Sequence, residues 1–275
     1  MESVKKTIYD STKRKHPAIE ELIALIQYKD LIFQLAKRNI ITRYKRSVLG
    51  IAWTMLNPLG TMIIMSIVFS RVFNQIESYP VYILSALIGW QFFSQTTTGC
   101  MNSMLWGSGL FRRSYLPKTS FVVSTVLSGL INLLFSIVPL MVIMLFMKVP
   151  FQISLTALPI VIIILAFFTL GMGLFLSSFV VFFPDLSQMY PIIITAWMYI
   201  TPIIIPEDVL INILNGLLLK LNPLYYILRL FRMVIYEGVF PASNQWLIAI
   251  IISLTTFLFG WLIFTKASDK YGYMI

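Results

Sequence analysis

Sulfur and imidazole are almost missing from this chain, which has one cysteine, Cys100, and one histidine, His16, in 275 residues. A disulfide framework is excluded, and a metal cluster has no ligand set to draw on. His16 stands alone in a basic stretch, and Cys100 falls inside a long apolar run where packing is its role. Charge is scarce too. Only 12% of residues are Asp, Glu, Lys or Arg, and the segments 119–147, 186–206 and 238–265 hold no Asp, Glu, Lys, Arg or His at all. Carriers coupled to protons or sodium place a titratable or ion-binding group near the bilayer midplane, so this lack argues against an ion-driven carrier. A membrane-embedded transferase or hydrolase needs carboxylates, a histidine or a metal set near the interface, and the short loop before residue 186 offers only Asp185. None of the thirteen glycines precedes a lysine. The phosphate-cradling G-x-x-x-x-G-K-[ST] loop is therefore missing, and the chain is not expected to hydrolyse ATP itself.

What the chain has in excess is apolar surface: 58% of residues are hydrophobic, and the mean hydropathy is +0.85. Such values lie outside the soluble globular range. Several runs exceed the roughly 18 apolar residues a spanning helix requires, and none alternates as barrel strands do. The expected fold is an all-α integral membrane protein with six transmembrane helices at about 52–73, 80–104, 119–147, 153–181, 187–205 and 246–265. The fifth, short and carrying Pro191 and Pro202, reads equally as a re-entrant segment.

Of the 21 lysines and arginines, sixteen fall on the face that holds both termini and five on the other, which orients both termini toward the cytoplasm. The first 50 residues contain no apolar core beside a cleavage site, so no secretory signal is expected. The net charge of +10 is explained by topology, anionic headgroups and a cytoplasmic partner, without nucleic acid. The basic N-terminal tail covers residues 1–29. An interfacial helix is expected at about 31–48, with Ile32, Phe33, Ala36, Ile40 and Tyr44 on one arc and with Lys37, Arg38, Arg43, Lys45 and Arg46 as its cations. A basic anchor that only sets topology is the alternative.

The second span is rich in hydrogen-bonding groups. Gln91, Ser94, Gln95, Thr98 and Asn102 share one helical face, which costs free energy if turned to lipid tails. They line a channel or glue helices together. Trp90, Trp106, Trp197 and Tyr199 either stack on sugar rings there or form interfacial belts. Between Pro202 and Trp246 the chain is too apolar for a soluble loop and reads as short re-entrant or interfacial helices at about 204–245, with Arg229 and Arg232 facing headgroups or a lipid phosphate. On the cytoplasmic side, Arg112, Arg113, Tyr115, Pro117 and Lys118 form a compact basic knob between the second and third spans. It serves a partner or only the positive-inside rule.

Arg43-Tyr44 followed by Ser47-x-Leu49-Gly50-x-x-Trp53-x-x-x-Asn57-Pro58 resembles the start of permease subunits of ABC-2 type exporters for polysaccharides, the group that serves O-antigen, capsule and wall teichoic acid. Further matches follow in order: Gly89-Trp90-x-Phe92-Phe93, Leu116-Pro117-Lys118, Phe182-Phe183-x-Asp185-Leu186, Thr201-Pro202 and Leu221-Asn222-Pro223-Leu224-Tyr225. The resemblance covers residues 30–275 and implies a homodimer, two separate ATPase subunits that bind the ATP and magnesium, and a lipid-linked glycan moved outward between two bundles in the cytoplasmic membrane of a bacterium or archaeon. It implies that the interfacial helix, the knob and Asp185 meet the ATPase, that Asn57 belongs to the channel, and that Asn57-Pro58 breaks or bends the chain entering the first span. Similar permeases carry a basic residue where this chain has Pro184. Two rivals stay open: an ABC-2 permease for a drug, peptide or other small amphiphile, and a non-transporting membrane enzyme of glycolipid synthesis.

Overall fold

The computed structural model describes residues 17–45, 47–111, 116–214 and 216–271; among them the chain forms helices and no strand. In order these are α1 (Pro17–Gln27), α2 (Lys29–Tyr44), α3 (Ala52–Phe69), α4 (Tyr79–Phe111), α5 (Thr119–Phe146), α6 (Leu158–Phe182), α7 (Leu186–Ile200), α8 (Glu207–Leu214), α9 (Leu217–Leu221), α10 (Pro223–Arg232) and α11 (Ser243–Ala267). A 3-10 turn, Ile153–Ala157, leads into α6, and a π-helical turn, Met233–Glu237, follows α10.

By length and composition α3, α5, the segment Ile153–Phe182 and α11 can each cross a membrane. The helix α4, with 33 residues, is about 50 Å long and exceeds the roughly 30 Å of hydrocarbon. Its polar stripe lowers its hydropathy without shortening it. The 15 residues of α7 reach only about 22 Å. The chain then turns at Thr201 to Ile204, all buried. Six spans are compatible with this arrangement.

The core is built around α4, whose stretch from Val81 to Trp90 is buried throughout. Against it pack α5, α6, α10, α3 and α7. Two glycines let α6 and α11 touch backbone to backbone: a Cβ on Gly260 would lie 2.0 Å from the Gly171 carbonyl oxygen, and one on Gly171 would lie 2.5 Å from the Thr256 carbonyl oxygen. The Ser253 hydroxyl donates across the same contact to the Ile164 carbonyl at 2.7 Å.

Asn57-Pro58 does not break the first span as expected, because α3 runs through it from Ala52 to Phe69. Pro58 has no N–H to give the carbonyl four residues back. The donor within reach is the Ser136 hydroxyl of α5, 3.1 Å from the Thr54 carbonyl and 3.0 Å from the Asn132 carbonyl of its own helix, its one proton shared between the two. A neighbouring helix thus satisfies the freed group, as membrane helices with proline require.

Beyond the turn at Thr201, α10 packs into the bundle against α4. Asn222 caps it by accepting from the Leu224 N–H at 3.1 Å, and its amide donates to the Thr201 hydroxyl at 2.9 Å. Leu228 packs so close to Gly89 that a Cβ there would be 2.7 Å from the leucine methyl. Gly89 lies ten residues along α4, so α10 meets that helix about 15 Å from its N-terminal end.

Candidate functional site

A polar cleft of about 240 Å³ opens between the C-terminal end of α2, the start of α3 and the middles of α4 and α5. The first two elements contribute Arg43, Tyr44, Trp53, Thr54 and Asn57, and the connection between them Ser47; α4 contributes Gln91, Gln95 and Thr96 among apolar residues; α5 contributes Thr125, Gly129, Asn132 and Ser136. The close approach of α4 and α5 that closes its back depends on Gly129, where a Cβ would meet the Thr96 hydroxyl oxygen at 2.3 Å. The Tyr44 hydroxyl lies 3.3 Å from the Asn132 amide oxygen and joins the end of α2 to the middle of α5.

The cleft brings together five sequence candidates, Arg43, Tyr44, Asn57, Gln91 and Gln95. Ser94, Thr98 and Asn102 continue the face along α4, each part-exposed or exposed, while the opposite face carrying Phe93, Thr97, Cys100 and Met104 is buried. The hydroxyls of Ser94 and Thr98 donate to the carbonyls of Gln91 and Ser94, at 3.4 and 2.8 Å. Gln91, Gln95 and Asn102 make no such bonds among the described residues.

Trp90 does not offer its ring to a ligand. It is 3% exposed and packs edge-on against Trp197, with ring centroids 6.4 Å apart. The Trp197 indole N–H donates to the Asn222 side-chain oxygen at 2.9 Å. Trp90 belongs to the core because it shares a side with Phe93, not with the glutamines, while Trp197 packs against that core half-buried. Tyr199 is exposed on α7 but outside the cleft. The Trp106 side chain lies outside the described residues.

The outer arginines are likewise engaged. Arg232 is buried, donates to the Pro202 carbonyl at 2.6 Å and lies 3.9 Å from the centre of the Tyr82 ring. It is a core strut, correcting the expectation that it faces headgroups. Arg229 pairs with Glu207 at 3.4 Å and with Glu237. The Tyr225 hydroxyl donates to Glu207, and burial first, then that carboxylate, push its phenol above the ordinary range.

Of the ATPase-facing candidates, Lys37, Arg38 and Lys45 are exposed, as is Asp185 at the start of α7. Pro117 is buried, and the Lys118 ammonium donates to the Ser268 carbonyl and sits 5.4 Å from the Tyr271 ring centre. Arg46, Arg112, Arg113 and Tyr115 lie outside the described residues. In α2 the buried residues are Ile32 and Ala36, and the helix packs lengthwise on α5; Phe33, expected on the apolar arc, is 69% exposed.

Sequence reasoning missed Trp53, Asn132 and Ser136. The one amide among the 28 residues of α5, whose other polar side chains are all hydroxyls, was the available signal for Asn132. For Trp53 the signal was its spacing, four residues before Asn57, one turn along the same helix face. Among the described residues no group of His, Cys, Asp and Glu assembles that could hold a metal ion.

A helical membrane bundle with an uncharged polar stripe and no nucleotide loop is the architecture of a transporter's membrane subunit. Residues 30–236 match the ABC-2 type transporter family, and the chain belongs to it. The chain is similar to the O-antigen export system permease protein RfbA of Myxococcus xanthus, 28% identical over 224 residues, covering 80% of this chain and 85% of that protein. Two permeases of the same description from Klebsiella pneumoniae are 28% and 27% identical, covering 66% and 76% of this chain and 71% and 82% of their own lengths.

Proposed function

We propose that this chain is the membrane-spanning permease subunit of an ATP-driven exporter that moves a lipid-linked polysaccharide or polyol-phosphate polymer outward across the cytoplasmic membrane. The observation that carries this reading is the face of α4: amides and hydroxyls without charge, left open on the protomer's surface and running from the cleft through Asn102. Hydroxyls and amides offer a sugar chain exchangeable hydrogen bonds, and such a face is unfavourable against lipid tails. The similar permeases carry O-antigen export in their names.

The cleft of one protomer, about 240 Å³, is smaller than the ~300 Å³ at the low end of small-molecule pockets. A glycan therefore needs a second copy of the chain facing the first, with the path between them. Two ATPase subunits supply the energy with their own ATP and magnesium, docking on the face that holds both termini through the exposed cations of α2, the segment 112–118 and Asp185. The small cleft also suits a single small amphiphile, the second reading.

The test is loss of the chain in its host. Surface polymer should vanish and intracellular lipid-linked polymer accumulate, with both restored by the wild-type gene and an ATPase subunit recovered with the tagged chain. Unchanged surface polymer together with altered resistance to a drug or peptide would transfer the assignment to the small-amphiphile exporter.

A further inference from the structure

Among the described residues, Arg43 is the only charged side chain lining the polar cleft. It is exposed on the last turn of α2, has no ion-pair or hydrogen-bond partner among the described residues, and neighbours Tyr44, which is fixed to Asn132. Two other cations behave differently: Lys118, at the start of α5, is occupied by Ser268 and the Tyr271 ring, and Lys45, though exposed, does not line the cleft. A cation at a helix C-terminus gains from the dipole. That gain does not require the guanidinium to border a cavity whose other polar groups are neutral. Trp53, 54% exposed, lines the same cleft.

We propose that Arg43 and Trp53 form a sugar-phosphate subsite: Arg43 binds the phosphate or pyrophosphate that joins a glycan to its lipid, and Trp53 supports the first sugar ring. This rests on the export reading above. A planar guanidinium holds two phosphate oxygens at once, which a lysine ammonium does not. An aromatic face accepts the apolar side of a sugar, and the amides of Asn57, Gln91 and Gln95, which make no side-chain hydrogen bond among the described residues, are open to its hydroxyls. The volume suits that junction, a phosphate and one sugar, and not the whole polymer. The chain thus recognises the invariant end of its cargo by charge and leaves the variable glycan to uncharged groups. Arg43, placed by sequence with the ATPase-facing cations, moves to the ligand side.

The experiment uses the full chain with its ATPase subunit in nanodiscs, with polyprenyl pyrophosphate as probe, unphosphorylated polyprenol as control and phosphatidylglycerol as competitor. Arg43→Gln should weaken probe binding about tenfold or more, as loss of a charge-assisted hydrogen bond does. Arg43→Lys should fall between Arg43→Gln and wild type, Trp53→Leu should weaken only a glycosylated probe, and polyprenol binding should not change. Membrane abundance and ATPase recovery at wild-type levels show that the variants are folded and assembled. Equal probe affinity for wild type and Arg43→Gln overturns the proposal, as does loss of ATPase recovery with probe binding intact, which returns Arg43 to coupling. Equal competition by phosphatidylglycerol overturns the carrier phosphate as the source and assigns the site to bulk headgroups. Failure of the export reading is separate, since surface polymer would then survive deletion of the chain whatever Arg43 binds.

Discussion

Single residues in this protein divide by which side of α4 they occupy. Gln95 and Thr98 face outward and Trp90 faces inward, so changes at these neighbouring positions should have opposite signatures. The pair Gln95→Leu and Thr98→Leu removes polar groups that have no buried partner to abandon, because the Thr98 hydroxyl bonds only its own helix. Membrane abundance and assembly should stay near wild type while export slows severalfold. Unchanged export would make the stripe helix glue. Trp90→Ala instead opens a cavity against Phe93 and Trp197, and truncations of that size cost about 3–5 kcal/mol. It should lower abundance and melting temperature before any specific effect on transport is visible. Full abundance of Trp90→Ala with a selective export defect would restore that ring to the channel.

Helices show where sequence reading works in a membrane protein and where it stops. The bounds of α5 were legible within a residue, because an apolar run of that length has one solution in hydrocarbon. The polar face of α4 was legible from its 3.6-residue period, and Trp90 was misread although the same period sets it beside Phe93 and Thr97. Asn132 and Ser136 needed knowledge that α5 lies against α3 and α4, which no local pattern carries. Of the two outcomes read for Pro58, a break or a bend, the break failed for the same reason, since proline breaks a helix only if nothing replaces the lost hydrogen bond. That point is measurable. Ser136→Ala leaves the Thr54 carbonyl without its donor and should cost about 1 kcal/mol, the scale of interhelical hydrogen bonds in membranes. In a Pro58→Ala background the backbone N–H returns, and the same Ser136→Ala change should cost much less. Equal costs in both backgrounds, read from unfolding midpoints, would separate Ser136 from the proline. At the α6–α11 contact, where glycine Cβ positions fall on backbone atoms, Gly260→Val should abolish assembly outright.

The whole molecule presents two kinds of exposed surface. On α6 the exposed residues are apolar, and along the middle of α11 all but Thr255 are, Ile163 at 55% and Leu254 at 45% among them, as a lipid face requires. Among the described side chains of α4 the exposed ones are Gln95 and Asn102. Both kinds cannot meet hydrocarbon at equal free energy, because an unpaired amide in lipid costs several kcal/mol by transfer measures of about 4–8. A second protomer facing α4 relieves this in either of two ways: dry amide-to-amide contacts or a hydrated path. They differ in what reaches the side chains. Because Cys100 is fully buried, introduced cysteines can be read against the native background. In the assembled exporter, Gln95→Cys and Asn102→Cys should react with a membrane-impermeant maleimide, while Ile163→Cys and Leu254→Cys stay protected by lipid. Faster labelling during ATP turnover would tie the hydrated path to the transport cycle. Labelling at position 95 no faster than at position 163 would mean that the stripe is sealed between protomers, and the polymer would then need another route through the bundle.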